Sequence, residues 1–266
     1  MLSLVMPYYN RRKLLIATLK SIVYYKADWP IEIIIVDDGS DEKINDIHDL
    51  FPQLDINLIV VKRSAKWRGP TIAYNIGFNA VRGDIVLINC PECIHIGNII
   101  EFVYNYLGPK MYISFSAYAA TPKMNDTFCD INWQDERSIL TAHKSIMKGS
   151  WRSHSTNYTL IPFCAALHTE DMEALSGYDE RFEAGIGYDD YDFWDRIKNL
   201  GLDSYLIDDP FVVHLDHPAP VYSNTINLDF LLQLRKDFPN RIKAAENKIY
   251  VRGNEIDDLN KFMMGL

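Results

Sequence analysis

The run Ile33-Ile34-Ile35-Val36 stops abruptly at Asp37-Asp38-Gly39-Ser40. Four successive β-branched apolar residues describe a strand covered on both faces, as inside a parallel sheet. In open α/β sheets, ligands bind just beyond the carboxyl ends of the strands. Asp37 and Asp38 stand at such an end. A carboxylate there accepts hydrogen bonds from a base imide or a ribose hydroxyl; it does not suit a phosphate. The same residues also spell a strand, an Asp-Gly turn and an aspartate cap, and this segment alone leaves both readings open.

The start of the chain narrows the choice. Leu2-Ser3-Leu4-Val5-Met6 reads as a strand that ends in Pro7-Tyr8-Tyr9-Asn10. A helical pattern follows over 11–25, with Leu14, Leu15, Thr18, Leu19 and Ile22 on one face. Strand, helix, strand and Asp-Asp-Gly-Ser, all within the first forty residues, resemble the nucleotide-binding half of the GT-A glycosyltransferases, family 2 in particular. The resemblance implies that Pro7, Tyr9, Asp37 and Asp38 hold the nucleoside of a UDP- or GDP-sugar.

Composition sets outer limits. The chain has 266 residues, 48% hydrophobic and 24% charged, enough apolar material for one large α/β core. Its net charge of −9 argues against a nucleic-acid partner, which needs a basic face. No apolar stretch reaches the roughly 18 residues of a membrane span, and no signal peptide is evident, so a cytoplasmic protein is expected, with peripheral membrane contact left open. Cys90, Cys93, Cys129 and Cys164 read as reduced thiols, because Cys90-Pro91-Glu92-Cys93 has no second pair for zinc.

Strand and helix patterns alternate to about residue 118, with strands over 56–62, 85–89 and 111–118 and helices over 70–81 and 97–107. This predicts a mostly parallel sheet with flanking helices. The pattern then turns irregular. A helix is expected over 135–147, a loop over 148–158, a strand over 159–168 and short helices or strands over 169–175, 189–200, 204–207 and 211–214. The expected division is a GT-A domain over 1–225, with a nucleotide half (1–118) and an acceptor half (119–225), and a small helical extension over 226–266.

Lys66-Trp67-Arg68-Gly69 precedes an Ala-x-Asn-x-Gly run, a segment similar to one that lies against the nucleotide in the family. Arg68 is the candidate diphosphate contact, since guanidinium pairs bidentately with phosphate; a plain surface arginine is the alternative. The family's metal-binding Asp-x-Asp is missing. Asn89-Cys90-Pro91 stands in its place, with Asn89 at the first position and no side-chain ligand at the second. If a divalent ion, Mn²⁺ or Mg²⁺, binds, Glu92 supplies the carboxylate and His214 an imidazole, with His217 a weaker candidate.

The last motif is Gly185-Ile186-Gly187-Tyr188-Asp189-Asp190-Tyr191-Asp192-Phe193-Trp194-Asp195-Arg196. Helix capping explains one aspartate at a helix start, but not three behind two glycines. The segment resembles the family's acidic motif, in which the second acid is the general base. That role maps to Asp190. Asp189 then contacts the acceptor or orients the loop, while Asp192 and Arg196 brace the helix. The helix N-terminus is expected to lower the pKa of Asp190. Trp151, His154 and Gly187 are candidate acceptor contacts. The implied reaction is inverting transfer of a sugar to a glycan hydroxyl; the alternative is a silent GT-A scaffold that binds glycans or a partner.

Overall fold

The computed structural model describes residues 1–64, 68–146, 152–153, 156–218, 225–244 and 247–250. The N-terminal part alternates as expected: β1 (Leu2–Tyr8), α1 (Arg12–Tyr25), β2 (Ile31–Asp37), short α2 (Ile47–Leu50), β3 (Asp55–Val60), α3 (Thr71–Asn79) and β4 (Ile85–Asn89). Next come β5 (Cys93–Ile96), α4 (Ile99–Tyr106), β6 (Met111–Ala119), α5 (Pro122–Cys129) and α6 (Glu136–Ser145). Then follow β7 (Cys164–His168), α7 (Thr169–Leu175), a 3₁₀ turn (Glu180–Ala184), α8 (Asp189–Leu200), β8 (Asp203–His214) and α9 (Thr225–Asp237). All the described strands join one sheet in the order β3-β2-β1-β4-β7-β6-β8-β5. β3, β2, β1 and β4 run parallel. β7 runs antiparallel to both β4 and β6, β6 is parallel to β8, and β5 is antiparallel to β8. The sheet is thus parallel over β1 to β4 and mixed beyond them.

Strand periodicity divides the core. Leu4, Met6, Ile33, Ile35 and Leu87 point to one face, where they meet Leu15, Leu19 and Ile22 of α1 and Ile99 and Val103 of α4. Val5, Ile34, Val36, Val86 and Ile88 point to the other, against Ile72 and Ile76 of α3, Met172 and Leu175 of α7 and Phe193 and Ile197 of α8. Both faces of the central strands are therefore covered, which is why those strands read as unbroken apolar runs.

Three elements differ from the sequence expectation. Residues 93–96 form β5, a strand that exists through its register with β8, Cys93 opposite His214. The strand expected over 159–168 shortens to Cys164–His168, because β4, its partner, is only five residues long and its ladder ends at Asn89. The two strands expected at 204–207 and 211–214 are one strand, β8, paired with β6 on both sides of a register shift between Phe115 and Ala117. The shift absorbs Asp208-Asp209-Pro210, which in the sequence looks like a break.

Candidate active site

Pro7 lies at the open end of β1. β4 pairs with β1 only over Leu2–Val5, so the missing N–H of Pro7 removes no bond on that side. Beyond it the chain turns at Asn10, with φ +50°. Asn10 ties the two sequence motifs together. Its Oδ1 accepts from Asp41 N–H at 2.8 Å and Glu42 N–H at 3.0 Å, and its own N–H donates to Ser40 Oγ at 3.0 Å. Gly39 sits at φ +74°, where a Cβ would come within 2.4 Å of the Arg63 backbone, so no larger residue fits this turn. Tyr9 is exposed, with the Arg63 guanidinium 6.0 Å from its ring centre.

The two aspartates part company. Asp37 is fully buried; its Oδ1 accepts from Ser40 N–H at 2.8 Å, the turn role that the sequence also allowed. Asp38 is paired with Arg68, whose Nε donates at 2.8 and 3.0 Å to its two oxygens and whose Nη2 reaches Oδ1 as well. Burial raises the Asp38 carboxyl above its ordinary value, and the Arg68 hydrogen bonds and charge only partly offset this. The candidate nucleoside and diphosphate contacts are therefore joined in one bidentate pair. Asn89, also expected at the donor, lies in the core: it is fully buried, its Nδ2 donates to Cys90 O at 2.8 Å, and its Oδ1 lies 3.2 Å from His95 Nε2. The β4–β7 ladder, which pairs Asn89 with Cys164, draws it inward. His95 belongs to β5 and is held neutral by burial, its pKa pushed down to about 3.

Glu92, at the mouth of the β4–β5 turn, gathers three partners on Oε1: Arg11 Nη1 at 3.0 Å, His217 Nε2 at 3.2 Å and His214 Nε2 at 3.4 Å. Its other oxygen, Oε2, is buried and has no hydrogen-bond partner among the described residues. Burial works to raise the Glu92 carboxyl, but hydrogen bonds from both histidines and the Arg11 charge outweigh it and hold it far below the usual range. Donor atoms of Glu92, His214 and His217 all lie within 4.8 Å of one another. One carboxylate and two imidazoles, with a carboxylate oxygen that no described residue satisfies, form a donor set that could hold a divalent metal ion. Of these residues, Arg11 had no chemical motif to mark it beyond its place after the Pro-Tyr-Tyr-Asn turn.

The acidic loop approaches from the other side. Gly187 and Tyr188 have φ +69° and +66°, two successive left-handed residues leading into α8. A tyrosine in that region is strained by about 1–2 kcal/mol. Asp189 is buried, and Asp190 is half-buried with Oδ1 accepting from Tyr191 N–H at 2.8 Å. Burial and the neighbouring Asp190 charge push Asp189 up to about 7. Burial raises Asp190 too, against the hydrogen bond from Tyr191 and the charge of Arg152. The expectation of a lowered Asp190 is thus reversed, because desolvation outweighs the helix N-terminus. Asp192 and Arg196 form the expected brace: Arg196 Nε donates to Asp192 at 2.8 Å, and its Nη1 donates to Leu175 O and Gly177 O.

Arg152 connects the two sides. It is buried, its guanidinium lies 5.2 Å from the Phe163 ring centre, and Phe163 packs edge-on to His214 at 5.3 Å. Gly69 N–H donates to Glu183 O at 2.9 Å, joining the Arg68 loop to the segment before Asp189. Trp151 and His154 lie outside the described residues.

The Asp-Gly turn after β2 and the carboxylate–imidazole cluster after β4 are thus each linked to the segment of the raised acid pair, one through the Gly69–Glu183 bond and the other through Arg152 and Phe163. Residues 3–89 match the family described as Glycosyl transferase family 2. The chain is similar to a chondroitin synthase of Pasteurella multocida, 24% identical over 245 residues that cover 82% of this chain and 25% of that protein. It spans well under half the length of the curated relatives it matches. Among solved structures, S. aureus TarS 1-349 in complex with UDP-GlcNAc aligns with a TM-score of 0.61 at 14% identity, over 82% of this chain and 59% of that one. The mannosyltransferase PcManGT of Pyrobaculum calidifontis, in complex with GDP-Man and Mn²⁺, aligns at 0.51 and 19% identity, over 83% and 58%. At these identities the structural likeness establishes the fold. That fold is GT-A, and the sequence match likens residues 3–89 within it to the family 2 glycosyltransferases.

Proposed function

We propose that the chain transfers a sugar from a nucleoside diphosphate sugar to a hydroxyl of a glycan, with inversion, and that Asp190 is the general base. The acceptor oxygen attacks the anomeric carbon, the bond from that carbon to the diphosphate oxygen breaks, and the hydroxyl proton passes to Asp190. The observation that carries this reading is the pair of aspartates at the start of α8, Asp189 buried and Asp190 half-buried behind the left-handed Gly187-Tyr188 turn, with burial raising both carboxyls toward proton uptake. The donor class is supported by TarS and PcManGT, solved with UDP-GlcNAc and with GDP-Man and Mn²⁺. Asp38 and Arg68 receive the nucleoside and diphosphate. Glu92, His214 and His217 are the residues to hold a divalent cation, which when bound neutralises charge on the leaving diphosphate. The acceptor side takes in Gly187 and the segment carrying Trp151 and His154. The four unbonded cysteines fit a cytoplasmic setting, and no helix among the described residues is long and apolar enough to cross a membrane.

A second reading, a silent scaffold that binds nucleotide without turnover, is favoured by one feature: Asn89-Cys90-Pro91 lacks the usual acidic pair, and Asn89 is buried. The two separate on one experiment. Asp190→Asn keeps shape and removes the proton acceptor. With donor saturating, transfer by this variant is expected to fall by about 10²–10⁴-fold with donor affinity unchanged. Wild-type transfer in Asp190→Asn moves the base to Asp189. Donor binding with no transfer or hydrolysis by the wild type, over a panel of UDP- and GDP-sugars with Mn²⁺ and Mg²⁺, selects the scaffold.

A further inference from the structure

α9 is a peripheral helix by sequence, yet one of its side chains reaches the backbone of the acidic loop. Asn227 is 1% exposed. Its Nδ2 donates to Phe182 O at 3.0 Å and to Gly187 O at 2.8 Å. Both amide hydrogens are thus committed, one to each end of the 182–187 segment. Between these ends Gly185 passes so close that a Cβ there would lie 2.5 Å from Asn227 Oδ1. The carbonyl held at Gly187 is the last before the left-handed Tyr188, and Asp189 follows it. Around the amide, Phe182, Leu231 and Leu234 form an apolar cluster with Tyr188, Tyr191 and Phe230 against it.

We infer that Asn227 is a positioning residue: by clamping the Phe182 and Gly187 carbonyls it fixes the strained backbone that positions Asp189 and Asp190. A loop with two left-handed residues in succession does not hold that path by propensity; surrounding bonds must impose it. Asn227 provides two such bonds at a buried position, where a carbonyl that loses its amide donor is left unsatisfied unless the loop opens. The clamp acts through the main chain, with no bond to either carboxylate among those formed by Asn227. The charged and phenolic groups that share the acids' surroundings are Asp192 on α8 itself and Arg152, Tyr112 and Tyr178 from elsewhere in the chain. α9 is by this account part of the active site.

The effect on rate rests on the base assignment to Asp190; the effect on loop geometry does not, and the experiment reads both. Asn227→Ala and Asn227→Leu, the latter of similar size but without a donor or a charge, are compared with Leu234→Ala, which loosens the same helix without touching a carbonyl. The main readout is titration of Asp189 and Asp190 by carboxyl ¹³C NMR in the full chain. Both Asn227 variants are expected to move the Asp189 titration down from near 7 by about half a unit or more, as water reaches the loop. Their kcat is expected to fall about ten- to a hundredfold at unchanged UDP affinity, the usual effect of a misplaced catalytic group. Leu234→Ala should lower stability and leave the titration in place. If Asn227→Ala folds, loses no titration shift and keeps kcat, the inference is wrong. If Leu234→Ala moves the titration equally, helix packing and not Asn227 sets the loop, and the inference is also wrong. Where Asn227→Ala does not fold, Asn227→Leu decides. Wild-type turnover in Asp190→Asn would overturn the base assignment alone, with the titration still testing the clamp.

Discussion

Arg11 and a divalent cation want the same oxygen. Glu92 Oε1 receives the Arg11 guanidinium at 3.0 Å alongside both imidazoles. A cation seated on this carboxylate meets a like charge unless Arg11 turns away. Arg11→Met is therefore expected to tighten Mn²⁺ binding about fivefold, the size of a partly exposed charge pair. Mn²⁺ titration followed by electron paramagnetic resonance checks it; equal affinity in wild type and variant would show that Arg11 does not compete. The pairing of Asp38 with Arg68 carries a second expectation. Removing a charged hydrogen-bond partner costs about 1–3 kcal/mol, so Asp38→Ala should weaken UDP or GDP binding by that amount. Calorimetry that finds equal nucleotide affinity removes Asp38 from the site.

α8 serves two masters at its first turn. Asp189 is buried and Asp190 half-buried at the very start of the helix, while Asp192 is 2% exposed, bonded to Arg196 at 2.8 Å and to Arg241 Nη2. Asp192→Asn leaves two largely buried guanidiniums short of a charge partner. It should cost on the order of 3 kcal/mol in urea unfolding and change the transfer rate per folded molecule little. A collapse of turnover at unchanged stability would instead assign Asp192 to the reaction. Nearby, Glu180 accepts from the N–H groups of Lys248, Ile249 and Tyr250, and Ala244 N–H donates to Leu175 O. The chain beyond α9 is therefore tied to the turn that precedes the acidic loop.

Stability and activity should respond to pH in opposite directions. Asp189 in the folded protein titrates near 7, against about 3.9 in an unfolded chain. A carboxyl raised by folding binds its proton better when folded. Its contribution to stability is complete below pH 4 or so and is lost as pH rises through about 7. Transfer, by contrast, needs an ionised base, and burial raises Asp190 as well, so the rate should rise with pH above the ordinary carboxylate range. The observed midpoint belongs to the Asp189/Asp190 pair as a unit. Asp189→Asn removes the like charge and should shift the rising limb to lower pH. A rate flat from pH 5 to 8 at saturating donor would remove the pair from the proton-transfer step.

The N-terminal layout was legible in the residues because its causes are local. Ile33–Val36 and Val86–Ile88 must be covered on both faces, whatever covers them, and Gly39 must stand where only a residue without Cβ fits against Arg63. Asp189, Asp190, Glu92 and His214 could be picked out because carboxylates and imidazoles at strand and helix ends are chemically conspicuous. What lay beyond reach depended on partners distant in the chain. β5 is a strand through pairing with β8, and β8 crosses Asp208-Asp209-Pro210 because β6 holds both halves. Asn89, at the right register for a ligand, is turned inward by β7. The pKa of Asp190 rises instead of falling, since burial is a property of the assembled loop and not of a helix start. Asn227 carries no sequence mark at all: a neutral amide in an amphipathic helix becomes part of the site only when the fold sets Phe182 O and Gly187 O within its reach. Local sterics and patterning are written residue by residue, but desolvation and long-range hydrogen bonds exist only after the chain has closed on itself.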